Sequence, residues 1–199
     1  MTGQERREQL LAVARSVFAE QGFAATSIED IAERAGVTRP VVYEHFGGKE
    51  GIYAVVVDRE VTRLSELLSA PLVAGGGSRA SAEGAASAFL KFIEDETDGF
   101  RVLSRDAPAG SGRGSFASVL HDVATRTEVL LADTFAQRGY DPAIAPMYAR
   151  MLVGATAQVG QWWLEVREPD RDTVAAHIIN LMWNGLAALD PNPTLHTRS

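Results

Sequence analysis

Thr38, Arg39, Tyr43, His45 and Lys49 fall within a dozen residues of one another, and every one of them carries a hydrogen-bond donor. Donors of these kinds suit nucleic acid. An arginine presents the planar fork that fits a guanine edge, and a tyrosine or a histidine can reach phosphate oxygens. A lysine at the start of a helix sets its charge beside that helix's free N–H groups, where an anion binds. The neighbouring Val41, Val42 and Phe46 are apolar and can turn back to a core.

Other chemistries find less support. The four histidines, His45, His121, His177 and His196, share no helical i, i+4 spacing with one another or with a further ligand, so no metal site is expected. Ser111-Gly-Arg-Gly-Ser115 is glycine-rich, but no strand precedes it and no Gly-Lys-Ser/Thr follows, so it reads as a loop rather than a phosphate cradle. Glu94, Asp95, Glu96 and Asp98 form an acidic run of the kind that lines a solvated helix end. With no cysteine and no Gly-x-Ser-x-Gly elbow, nothing points to a nucleophile, a cofactor or an enzyme.

The elements that must position the donors are helices. Leu10, Leu11, Ala14, Val17 and Phe18 form one helical stripe that should stop at Gly22. Thr26-Ser-Ile-Glu29 and Ser27-Ile-Glu-Asp30 both fit a capping box, so a short helix starts there, turns Ile28, Ile31, Ala32 and Ala35 inward and ends at Gly36. Thr38 can cap the next helix, with Pro40 in its first turn, where a missing N–H costs nothing. That helix ends near Phe46-Gly47-Gly48. A longer one carries Tyr53, Val57, Val61, Leu64 and Leu68 from Lys49 to Pro71. Two short helices joined by Ala35-Gly-Val-Thr38 make a helix-turn-helix, whose second helix lies in the DNA major groove.

The 199 residues carry a formal net charge of −7 and are 46% hydrophobic, enough for a core and for about two small domains. No stretch alternates apolar and polar residues as a strand would, and the chain reads all-α with about nine helices. The glycine run within residues 71–78 marks a boundary. It separates a helix-turn-helix domain at 1–48, with a connecting helix at 49–71, from a second helical domain at 79–190 and a tail at 191–199. Further helices are expected near 80–98, 100–106, 115–138, 142–167 and 171–189. No signal peptide or membrane span is legible, so a cytoplasmic location is expected. Residues 1–63 hold 8 basic and 10 acidic side chains, so DNA affinity must come from the placement of particular residues rather than from bulk charge.

The run Phe18, Gly22, Thr26, Ile31-Ala32, Ala35-Gly36-Val37-Thr38, Tyr43-Glu-His-Phe46 and Lys49-Glu50 resembles the DNA-binding signature of TetR-type (tetracycline-repressor-like) transcriptional regulators. The resemblance implies a homodimer that binds a palindromic operator in double-stranded DNA and is released when a small molecule enters the C-terminal domain. It also implies phosphate contacts from Thr26 or Ser27, Tyr43, His45 and Lys49. Base contacts would come from Thr38 and Arg39, with Pro40 as a third candidate. Many members carry glycine or another small residue where Pro40 stands, so an apolar contact, for instance to a thymine methyl, can replace a close backbone approach there.

The second half is patterned differently. Ile144, Tyr148, Met151, Ala155, Val159, Trp162 and Val166 form one apolar stripe of a helix, and Val153, Ala157, Gly160 and Leu164 form another. With Ile178, Leu181 and Gly185 of the last helix, the small-residue stripe is the expected dimer interface, a four-helix arrangement. Phe89, Phe92, Phe100, His121, Met147, Met151, Gln158 and Trp162 are aromatic, flexible or hydrogen-bonding residues at otherwise apolar positions, the composition of a small-molecule pocket. An all-α small-molecule-binding or interaction protein that no longer binds DNA is the alternative reading, favoured only by the charge of the first domain.

Overall fold

The computed structural model describes residues 2–73, 78–105, 115–190 and 193–194. Among these the chain forms nine α-helices and no strand: α1 (Gly3–Ala25), α2 (Ile28–Ala35), α3 (Arg39–Phe46), α4 (Lys49–Val73), α5 (Ser78–Asp95), α6 (Thr97–Ser104), α7 (Phe116–Arg138), α8 (Ala145–Val166) and α9 (Arg171–Ala187). One 3₁₀ turn, Pro142–Ile144, precedes α8. The glycine run after residue 73, the Ser111-Gly-Arg-Gly loop and most of the tail lie outside the described residues.

Local chemistry accounts for the helix ends. Thr2 and Glu5 form a capping box at the start of α1, and Gly22 breaks that helix with φ +79°, ψ 165° before a last turn closes at Ala25. Of the two capping boxes legible before α2, the Ser27 and Asp30 pair forms; Ser27 Oγ accepts from the Asp30 N–H, and Asp30 Oδ2 accepts from the Ser27 N–H. Gly36 closes α2 in the left-handed region, which a β-carbon would strain, and the Val37 N–H reaches back to the Ala32 carbonyl. α4 runs two residues beyond the Pro71 stop that the sequence suggests. So near the helix end, proline forfeits only one backbone hydrogen bond.

Two compact units interleave along the chain. The first takes residues 1–66 and 92–119; the second takes 67–91 and 120–199. The described residues of segment 92–119, which the sequence reading places in the second domain, therefore pack with the N-terminal helices, where α6 lies against α1.

In the first unit α1 buries Leu10, Leu11, Ala14, Val17 and Phe18, and α2 buries Ile28, Ile31, Ala32 and Ala35. The Phe18 ring meets Tyr53 edge-on at 5.0 Å, and Phe23 stands 4.7 Å from Tyr53. Truncating an aromatic so enclosed costs about 3–5 kcal/mol, which makes this cluster the anchor of the helix-turn-helix.

In the second unit Leu131, Phe135, Ala145 and Ala149 form a buried cluster. Phe135 packs edge-on against Tyr148 at 5.5 Å, and the Tyr140 hydroxyl donates to the Leu189 carbonyl at 2.9 Å.

Candidate nucleic-acid interface and cavity

α3 is short, and its burial is one-sided. Val42 is fully buried, whereas Thr38, Arg39, Pro40, Tyr43 and Glu44 are exposed, Tyr43 to 53%. Thr38 sits at the N-cap position without using its hydroxyl to cap, so that hydroxyl is open to an outside partner. Arg39 leans on Glu29 of α2 in an exposed ion pair. That carboxyl is held below its usual range, first by a backbone hydrogen bond and then by Arg39. Exposed pairs of this kind are weak, so the guanidinium can leave for a base edge at little cost.

The phosphate candidates divide. Thr26 is buried, and its hydroxyl donates to the Gly22 carbonyl at 2.7 Å, while half-buried Ser27 caps α2. Tyr43 is open and His45 half-buried, its ring 6.1 Å from that of Phe46. Lys49 has partners within the subunit that the sequence does not announce. Its Nζ donates to the carbonyls of Phe23 and Thr26, both at 2.9 Å, and lies 4.4 Å from the Phe23 ring centre. The carbonyls at the end of α1 and in the α1–α2 connection need donors, and an ammonium with three N–H groups supplies two of them while keeping one. Lys49 thus staples that connection to the start of α4.

Sequence reasoning passes over Gly51. A β-carbon there would overlap the carbonyl oxygen of Phe46, so the first turn of α4 can abut the end of α3 only because residue 51 has no side chain. A glycine in the first turn of an otherwise regular helix, where alanine is intrinsically better, is the signal that could have found it.

A second unforeseen feature is a charge cluster in the first unit. Arg15 Nε of α1 lies 3.0 Å from Glu60 Oε1 of α4, and Arg15 Nη2 lies 2.5 Å from Glu96 Oε2, between α5 and α6. Arg63 Nη1 reaches Glu96 Oε1 at 2.8 Å. Glu60 is buried, and burial outweighs Arg15 and Arg63 to push its carboxyl above the usual range.

The second unit encloses a cavity with about 1270 Å³ of empty space when its open mouth is counted. Leu68, Phe89, Val123, Leu131, Leu152, Ile179 and Trp183 are among its walls, with Ser81, Thr127, Thr134, Thr156 and Arg138 as the polar members. Of the residues proposed from sequence as pocket-lining, Phe89 is in the wall. Phe92 and Phe100 are buried in the first unit, and His121 is exposed on α7. Met147, Met151, Gln158 and Trp162 lie on the exposed face of α8.

The stripe expected at a dimer interface turns inward instead: Val153 and Ala157 line the cavity, while Gly160, Leu164 and Ile178 are buried. Leu181 (75% exposed) and Gly185 are on the outside. Trp162 and Trp163 point apart. Trp163 is buried and donates through Nε1 to the Pro169 carbonyl at 2.8 Å, whereas Trp162 is 48% exposed.

Comparison with known proteins places these features together. Residues 10–56 match "Bacterial regulatory proteins, tetR family", and residues 82–185 match "Tetracyclin repressor-like, C-terminal domain". The chain belongs to the TetR family of bacterial helix-turn-helix transcriptional regulators. It is 30% identical over 188 residues to the HTH-type transcriptional activator FasR of Mycolicibacterium smegmatis, covering 92% of this chain and 84% of FasR. Over 68 residues it is 44% identical to the HTH-type transcriptional repressor Rv3405c of Mycobacterium tuberculosis, 34% of this chain and 36% of that protein. The crystal structure of a TetR-like regulator from Rhodococcus sp. RHA1 superposes with TM-score 0.79 at 29% identity, covering 92% of this chain and 97% of the other. Among the described residues no helix is long and apolar enough to cross a membrane.

Proposed function

We propose that this regulator is a cytoplasmic homodimeric repressor that reads a palindromic operator through α3 of each subunit and leaves it when a small apolar or amphipathic molecule occupies the cavity. It acts by binding rather than by catalysis. One observation carries the reading: α3 buries Val42 and turns Thr38, Arg39, Pro40 and Tyr43 outward, the arrangement a groove-reading helix needs. Thr38 and Arg39 contact bases, with Pro40 against a thymine methyl. Tyr43 and His45 contact phosphates, as do the N-terminus of α2 at Ser27 and the remaining N–H of Lys49.

Residues 1–48 form the reading head, 49–71 the connection, and the parts of 79–190 that belong to the second unit, 79–91 and 120–190, the effector and dimerisation domain. Subunits pair through the outward face of α8, Met147, Met151, Gln158, Trp162 and Val166, together with Leu181 and Gly185 of α9. That face carries large apolar side chains exposed to 47–75%, more than a solvated helix surface normally leaves in contact with water.

A dimer contacts both half-sites only when its reading helices stand about 34–36 Å apart along the DNA, or a multiple of that turn. A ligand that binds the DNA-free conformation more tightly shifts the population away from that spacing. The experiment is selection of bound sequences from random duplex DNA. Recovery of a palindrome is expected; recovery of none would leave a small-molecule-binding protein without an operator. Transcription from a promoter bearing the recovered site, with and without the protein, then separates repression from activation.

A further inference from the structure

The cavity wall is unusual in its charge. The chain as a whole is acidic, with 26 Asp and Glu against 19 Lys and Arg, yet among the described residues no carboxylate lines the cavity and a single cation, Arg138, does. Exposed Arg138 ends α7, and among the described residues its guanidinium has neither an ion pair nor a hydrogen bond. The threonine hydroxyls of the wall cannot serve as its equals. Thr127, Thr134 and Thr156 donate to the carbonyls of Val123, Leu130 and Leu152 of their own helices at 2.8, 2.9 and 2.9 Å, so each has only oxygen lone pairs left for a ligand.

The shape adds to this. Wall residues recur along α7 from Leu120 to Arg138 at helical spacing. At 1.5 Å per residue that stripe is about 27 Å long, an elongated apolar surface with Arg138 at its end.

We propose that the effector is a long-chain amphipathic anion, whose unbranched apolar tail lies along α7 and whose acidic head pairs with Arg138. The assignment rests on the cavity being the effector site. Arg138 selects the acid over a neutral molecule of the same length, while the apolar wall holds the tail of either.

Isothermal titration with dodecanoate and with dodecanol, both below their aggregation limits, tests it on the full-length protein. Wild type should bind dodecanoate more tightly, by roughly three- to tenfold, the range for one charge-assisted pair at a partly wet site. Arg138→Gln should remove that preference without weakening dodecanol binding, and Arg138→Lys should restore part of it. Equal affinities in wild type, or a preference that survives Arg138→Gln, would overturn the acidic head alone and leave the cavity as the effector site. Failure of wild type to bind either compound would overturn both. Ala157→Phe, which fills the cavity from its wall, should abolish binding of both; binding that persists in this variant would place the ligand elsewhere.

Discussion

Gly99 of α6 and Glu60 of α4 are matched in shape: a β-carbon at residue 99 would overlap Glu60 Oε2 and come within 2.8 Å of Arg15 Nη2. Glu60 Oε2 is buried and accepts no hydrogen bond among the described residues. The missing side chain at 99 is what lets α6 close over a buried carboxylate that also faces Arg15 of α1.

Gly99→Ala should therefore destabilise the protein by about 1–3 kcal/mol, the usual range for overpacking a closed interior. Urea unfolding followed by circular dichroism checks this. An unchanged midpoint would mean that Glu60 swings aside freely.

Glu60 should also leave a mark on the pH dependence of stability. Its carboxyl is raised by burial, which dominates the facing charges of Arg15 from α1, Arg63 and Arg59 from α4 and Glu96 from the α5–α6 junction. The folded state then holds this proton over a range where the unfolded chain has already lost it. Stability is present below the unfolded value and is lost as pH rises from that ordinary carboxylate value through the folded one. In Glu60→Gln this fall should vanish from urea midpoints measured across the weakly acidic range. An identical slope in the two proteins would show that another group produces it.

Gly51→Ala meets backbone rather than a side chain, the Phe46 carbonyl. A loss of more than about 2 kcal/mol is expected, together with loss of operator binding, because α3 is seated on the start of α4. A variant with wild-type melting temperature and operator affinity would show that the two helices part without cost.

Arg39 and Lys49 should separate in DNA binding. Arg39→Ala should cost about 1–3 kcal/mol on the selected operator and relax one base position per half-site. Glu29→Gln, which frees the guanidinium, should tighten binding. Lys49→Ala should weaken all sequences alike and lower thermal stability as well, since its ammonium holds the Phe23 and Thr26 carbonyls. Fluorescence anisotropy over a panel of single-base operator variants measures the difference. Matching profiles for the two alanine variants would refute the division of roles.

Leu181→Glu and Trp162→Glu, on exposed positions, should yield folded monomers, whereas Gly160→Glu, at a buried position, should unfold the second unit. Sedimentation velocity with circular dichroism distinguishes the cases. Dimers that persist in both exposed variants would move the interface off α8 and α9.

Short-range chemistry made the helix-turn-helix legible without coordinates. Ser27 with Asp30, Gly36, and Pro40 in the first turn of α3 each act within one helical turn, so their types and spacing were enough to set the ends of α2 and the start of α3 and to show which donors α3 presents. The acidic count of the first 63 residues was no obstacle, because Glu29 lies on α2 and pairs with Arg39 rather than occupying the face of α3. α8 was undetermined for the opposite reason. Its two apolar stripes are alike in hydrophobicity, and nothing within one helix says which of them meets the rest of the subunit. Packing against neighbours far away in sequence turned Val153, Ala157 and Gly160 inward and left Met151 and Trp162 outside. The same holds for Arg15 with Glu60 and for Arg138 at the cavity. Each is an ordinary charged residue in sequence, and only the fold decided which charge is buried with a partner and which is left free beside an apolar wall.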